Sequence, residues 1–141
     1  NNRFCMNKKS ILLSAHQPVY LPWLGLFHKL SVADLFVFFD NVPYSRKMFY
    51  NRNSILGANG IQTLSIPKQR KSSDKTSITE IGISNKDKWQ KSHWQSIVSA
   101  YNSSPFFEYY KDEIQSKING INPATLGKIQ GVYYKRLMYR V

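Results

Sequence analysis

The apolar positions of the chain fall into short runs whose period changes along the sequence. Ile11-Leu12-Leu13-Ser14-Ala15 has the length of a strand and stops at His16. Residues 16–22 follow as a loop stiffened by Pro18 and Pro22. Trp23, Leu24, Leu26, Phe27 and Leu30 then recur at helical spacing and predict a helix over 23–32. Ala33-Asp34 turns the chain into Leu35–Phe39, a continuous apolar run ending at Asp40. Such a run suits a strand buried on both faces of a parallel sheet. Strand, helix and strand over about 30 residues make one βαβ unit. His16 and Asp40 then stand at the carboxyl ends of two strands which, if neighbours, share one sheet edge. Open α/β sheets hold their ligands at that edge.

Residues 41–83 carry a different rhythm. Met48–Leu56 reads as a strand, Gly57-Ala58-Asn59-Gly60 as a hairpin turn, and Ile61, Leu64 and Ile66 as the return strand closed by Pro67. Lys68–Lys75 has no apolar side chain and is expected to be an exposed, mobile loop. Ile78, Ile81 and Ile83 suggest a further strand. Ser84-Asn85 offers an N-cap for a helix over 86–101, with Trp89, Trp94, Ile97, Val98 and Tyr101 on one face. Pro105 opens a last helix, in which Phe107, Tyr110, Ile114 and Ile118 repeat. The pattern weakens beyond Asn119-Gly120. The expected class is α/β: a βαβ start with a partly parallel, Rossmann-like sheet, a β-hairpin insertion and C-terminal helices.

Composition narrows the function classes. A chain of 141 residues with 42% hydrophobic and 14% aromatic residues can build a core and is not a disordered segment. No apolar run approaches a membrane span, and a polar N-terminus of this kind is not expected to act as a signal peptide. Cys5 is the single cysteine, which excludes an internal disulfide framework and makes a reducing, cytoplasmic setting the expectation. The formal charge of +12 favours an anionic partner. Its basic residues are spread over Arg46-Lys47, Lys68-Gln69-Arg70-Lys71, 86–91 and 128–140, which describes a solvated surface rather than one helical stripe.

His16 is the leading acid–base or charge-stabilising candidate, because imidazole titrates near neutral pH. Gln17 can donate and accept, which suits orienting a sugar hydroxyl or amide. Tyr20 and Trp23 offer rings for stacking. Asp40 can bind a hydroxyl, a metal or an amine, and Arg46 and Arg52 can hold phosphate bidentately. Tyr44 and Asn51 flank them, and His93 lies beside Trp94 in the 86–101 helix. His16, His28 and His93 lack metal-ligand spacing, so no metal and no cofactor are expected. Neither a P-loop, a Gly-x-Ser-x-Gly elbow nor a complete dinucleotide fingerprint occurs.

His16-Gln17-Pro18-Val19-Tyr20-Leu21-Pro22-Trp23-Leu24-Gly25 resembles the N-terminal signature of the WbqC-like family of bacterial proteins. The resemblance continues through Ala33-Asp34, 36–40, Val42, Tyr44-Ser45, Asn51-Arg52-Asn53, Pro67-Lys68, Trp89, His93-Trp94, Ile97, Ala100-Tyr101 and Pro105-Phe106-Phe107. It divides the chain into a disordered start (1–10), the N-terminal half of a WbqC-like domain (11–118) and a divergent tail (119–141). The family's Gly-rich second half has no counterpart here, so a truncated domain is expected. Members lie among genes for O-antigen and other surface polysaccharides. The resemblance therefore implies an enzyme lineage transferring an aminoacyl or acyl group to a nucleotide-linked amino sugar. In that reading His16 is the base, Asp40 orients the amine or hydroxyl, and Arg46 and Arg52 hold the phosphates of a nucleotide-sugar or other phosphorylated small molecule. The alternative is a basic, non-catalytic module for nucleic acid or another anionic partner, with Lys68–Lys75, Tyr44, Phe49 and Tyr50 as contacts.

Overall fold

Residues 10–69, 76–84, 86–121 and 125–126 are described by a computed structural model. Strand β1 (Leu13–His16) leads through helix α1 (Leu24–Val32) to strand β2 (Leu35–Phe38), and the two strands pair in parallel with His16 opposite Phe38. Asp34 secures the entry to β2: its carboxylate accepts from the Leu12 N–H at 2.9 Å, while its own N–H donates to the Leu12 carbonyl. At the far end the Phe39 N–H donates to the His16 carbonyl at 2.9 Å, carrying the ladder past both strands. The expected βαβ unit is present.

Strands β3 (Arg52–Gly57) and β4 (Gly60–Ser65) form an antiparallel hairpin in which Gly57 pairs with Gly60. Gly60 has φ 105°, a conformation open to glycine and strained for other residues. Helices α2 (Trp89–Tyr101) and α3 (Phe107–Asn119) follow, and α2 packs on β3 and on α3. The architecture is thus a mixed α/β one, with a parallel strand pair, an antiparallel hairpin and three helices among the described residues. No helix of the described residues is long and apolar enough to cross a membrane.

Among the described residues, two hydrophobic clusters organise the packing. The larger joins Tyr20, Tyr44 and Tyr50 to Leu64 and Ile66 of the hairpin, to Ile78, Ile81 and Ile83, and to the inner faces of α2 and α3. The smaller holds Val19 and Leu26, with Leu30, Phe36 and Phe38 against them. Consecutive residues Val19 and Tyr20 enter different clusters, so the loop after β1 links them.

Several elements differ from their sequence reading. Strand β2 is not buried on both faces: Phe36 and Phe38 pack on Leu26 and Val19, while Leu35 and Val37 face outward and are exposed. In α1 only Leu26 is fully buried, and Trp23, Leu24 and Phe27 are exposed. The strand expected from Met48 starts at Arg52, because residues 46–48 turn, with the Met48 N–H on the Ser45 carbonyl, and Tyr20 N–H binds the Phe49 carbonyl. Ile78 opens a 3₁₀ turn (Ile78–Glu80) that Ile81 follows as C-cap, so neither belongs to a strand. Ser77 caps that turn through the Thr79 N–H, and the three-residue spacing of Ile78 and Ile81 buries both. Isolated bridges Pro43–Ser77, Lys68–Ile83 and Gly82–Thr125 tie this region down.

Helix α2 begins at Trp89 and not at 86, since Lys88 adopts φ 44° and ψ 39° and interrupts any helix running into it. The expected cap at Asn85 lies outside the described residues. Helix α3 starts at Phe107 after a turn through Pro105, and Tyr110 is exposed although its spacing suggests the buried face. Lys68 is half-buried and bridged to Ile83 rather than in an exposed loop. Residues 70–75, the N-terminal 1–9 and the basic tail at 128–140 lie outside the described residues.

Candidate functional site

The carboxyl edge of the β1–β2 pair brings His16 and Asp40 to the same end of the sheet, because parallel pairing sets His16 beside Phe38 and Phe39. His16 is half-buried, and its Nδ1 lies 2.7 Å from the Gln17 carbonyl oxygen. A carbonyl only accepts, so Nδ1 carries the proton of the neutral ring and Nε2 keeps the lone pair. The Trp23 indole, 51% exposed, meets His16 edge-on at 5.3 Å between ring centroids. Trp23 can therefore take a flat ligand on its open surface. Asp40 is half-buried; its backbone carbonyl accepts from Ser77 Oγ at 3.4 Å, and its carboxylate makes no hydrogen bond or ion pair among the described residues.

The chain from Asp40 to Arg52 builds one side of this edge. Tyr50 OH donates to Gln17 Oε1 at 3.0 Å, and Tyr20 N–H donates to the Phe49 carbonyl at 3.3 Å. Arg52 donates to the Arg46 carbonyl at 2.9 Å and stands 5.9 Å from the centroid of the Phe49 ring. That guanidinium holds the 46–49 turn and keeps further N–H groups for an anion. Arg46 itself is exposed. Lys68 Nζ lies 4.2 Å from the centroid of the Tyr44 ring, a cation–π contact that brings another positive charge to this wall.

Four sequence candidates turn out to hold the fold together. The Tyr20 side chain is fully buried and cannot stack on a ligand from solvent; its hydroxyl meets His93 Nδ1 at 2.8 Å. His93, 6% exposed, packs edge-on against Trp89, and burial lowers its pKa, with a backbone hydrogen bond at Ser65 opposing. Burial also raises the Tyr20 pKa far above the usual phenol range. Tyr44 OH donates to Asn51 Oδ1, and Asn51 Nδ2 donates to the Ile66 carbonyl, so both stitch the turn to the hairpin. Each is enclosed because a buried polar group needs an internal partner, and these residues supply one another's.

Sequence reasoning missed two supports. Asn53 Nδ2 donates to the carbonyls of Tyr20 and Leu21, at 3.2 and 2.6 Å, where Leu21 adopts φ 47°. A side chain that bonds two carbonyls of one turn holds that strained turn in place. Tyr50 is the other: the sequence offered it only as a contact of the alternative binding module, and its long-range bond to Gln17 marks it as a support. A separate apolar groove of about 630 Å³ runs between β3, α2 and α3. It is lined by residues such as Ile97, Phe107 and Ile114 and shares only Leu21 with the loop 16–25.

Residues 17–136 match the WbqC-like protein family. Among curated proteins, the chain is similar to the uncharacterized protein Rv1507c of Mycobacterium tuberculosis, 31% identical over 96 residues. The match covers 68% of this chain and 41% of that protein, so the chain spans about two fifths of the length of this relative. No solved structure matches.

Proposed function

This chain belongs to the WbqC-like protein family, and from that premise and the chemistry at the β1–β2 edge we propose that it carries part of a group-transfer site. The reaction is transfer of an acyl or aminoacyl group to the amine of a nucleotide-linked amino sugar, in surface-polysaccharide (O-antigen) synthesis. A cytoplasmic setting, expected from the single cysteine, belongs to the same proposal.

One contact carries this reading: the Gln17 carbonyl on His16 Nδ1, which leaves Nε2 as the basic nitrogen. A general base needs an oriented lone pair at hydrogen-bond distance from the proton it removes. The sugar amine attacks the acyl carbonyl and forms the new N–C bond. His16 Nε2 takes the amine proton, and the carbonyl's bond to its leaving group breaks. The proton then passes to the departing group, which balances the step. Asp40 accepts a hydrogen bond from the amine or a neighbouring hydroxyl, Gln17 orients the sugar, and Trp23 stacks on its ring or base. Arg46 and Arg52 hold the phosphates, with Lys68 adding to the local positive field. Tyr20, Tyr44, Asn51 and His93 support the walls and touch no substrate.

The test mixes the protein with nucleotide-linked amino sugars and activated acyl or aminoacyl donors and looks by mass spectrometry for N-acylated product. Product formation that His16→Ala abolishes supports the reading. Absence of product across donors, together with salt-dependent retention on DNA, would favour the basic binding module instead.

A further inference from the structure

We propose that Tyr50 is a positioning residue for His16, acting through Gln17 to keep the imidazole in its Nδ1–H tautomer. The chain of contacts is short. Tyr50 OH donates to Gln17 Oε1 at 3.0 Å, and the Gln17 backbone carbonyl accepts from His16 Nδ1 at 2.7 Å. Gln17 is therefore held at its side chain by the large core and holds His16 with its backbone.

Three features make this link stiff. Tyr50 is buried in the cluster with Tyr44, their ring centroids 5.7 Å apart, so its hydroxyl is fixed in direction. Burial and the neighbouring Tyr44 raise its pKa, so it stays protonated and remains a donor across the neutral range. Pro18 follows Gln17 and restricts its backbone to extended conformations, which limits where the carbonyl can point. With the side chain pinned as well, the carbonyl has little freedom left. The neighbouring bond from Tyr20 N–H to the Phe49 carbonyl keeps loop and turn in register.

The consequence is specific, because free neutral histidine in water prefers the opposite tautomer, with its proton on Nε2. A His16 left to solvent would offer Nδ1, turned toward its own backbone, as the base. The Tyr50–Gln17 link instead presents Nε2. The catalytic meaning rests on the proposed role of His16, whereas the tautomer itself does not.

The test reads tautomers by long-range ¹H–¹⁵N correlation of the imidazole nitrogens at a pH where the rings are neutral, with His16 assigned by its loss in His16→Ala. Wild-type His16 is expected to be mainly Nδ1–H. Tyr50→Phe should shift the ratio toward Nε2–H roughly fivefold, the equivalent of one hydrogen bond of about 1 kcal/mol. Gln17→Ala, at a half-buried loop position, should shift it the same way and carries the test if Tyr50→Phe fails to fold. The double variant should go no further than either single one. His93, with its own partner Tyr20, reports that the core is intact. Wild-type His16 in the Nε2–H form, or an unchanged ratio in a folded variant, would overturn the proposal. Neither outcome depends on substrate, so loss of the transfer reading leaves this result standing. An unchanged ratio in the folded variants leaves the transfer reading standing, and only wild-type His16 in the Nε2–H form removes the base that reading uses.

Discussion

Gly25 is the residue that lets Trp23 sit against His16. A Cβ built on Gly25 would come within 2.6 Å of Trp23 Nε1, so any side chain there displaces the indole. Gly25→Ala is expected to move Trp23 off His16 and abolish the ring-current shift on the His16 protons. Folding should not suffer, since alanine gains up to about 1 kcal/mol of helix propensity in α1. His93 makes a second residue-scale prediction. Its pKa is lowered in the folded chain, so the unfolded state binds more protons as pH falls below the ordinary value of 6.5. Its contribution to stability is complete above that value and is lost as pH falls through the folded pKa. Urea midpoints should therefore drop on acidification, and His93→Gln should flatten that acid limb. His16 and Asp40 were legible because strand ends can be read from local runs. Tyr20, Tyr44, Asn51 and His93 were not, because long-range partners set their burial: Tyr20 and His93 stand 73 residues apart. No local pattern announces such a pair.

At the scale of elements, periodicity worked where one element makes its own contacts. The Gly57–Gly60 turn closes a two-residue connection, and the hairpin follows from it. Periodicity failed where a tertiary partner decided. Leu35–Phe38 is uniformly apolar, yet only the face toward Val19 and Leu26 is covered. The triplet Ile78, Ile81 and Ile83 mixes spacings of three and two, and the Ser77 cap resolves it as a 3₁₀ turn. Lys88 was unreadable for another reason: nothing in its sequence calls for φ 44°, and it stops α2 from starting earlier. A left-handed backbone costs a side-chain-bearing residue about 1–2 kcal/mol, part of which glycine gives back in unfolded-state entropy. Lys88→Gly at this exposed position should therefore raise stability by up to about 1 kcal/mol, read from the denaturant midpoint. A lower midpoint would mean that the Lys88 side chain contributes more than its backbone strain costs.

Across the whole molecule, the loop 16–25 joins two hydrophobic clusters, with Val19 in one and Tyr20 in the other. Tyr50, Asn53 and the Phe49 carbonyl brace it from the hairpin side. A loop held from both sides keeps its geometry before any ligand arrives, which is what the acid–base role proposed for His16 requires. The charge of +12 favours an anionic partner, and in the proposed reading the Arg46–Arg52 turn receives its phosphates. The central claim is that this edge binds a nucleotide-linked amino sugar through His16 and Asp40. Calorimetric titration of such sugars into the wild type, His16→Ala and Asp40→Asn tests it most directly. Saturable binding by the wild type, weakened at least tenfold (about 1.4 kcal/mol) in each variant with melting behaviour unchanged, is the predicted result. Absence of binding to the wild type, or equal binding by all three proteins, would contradict it.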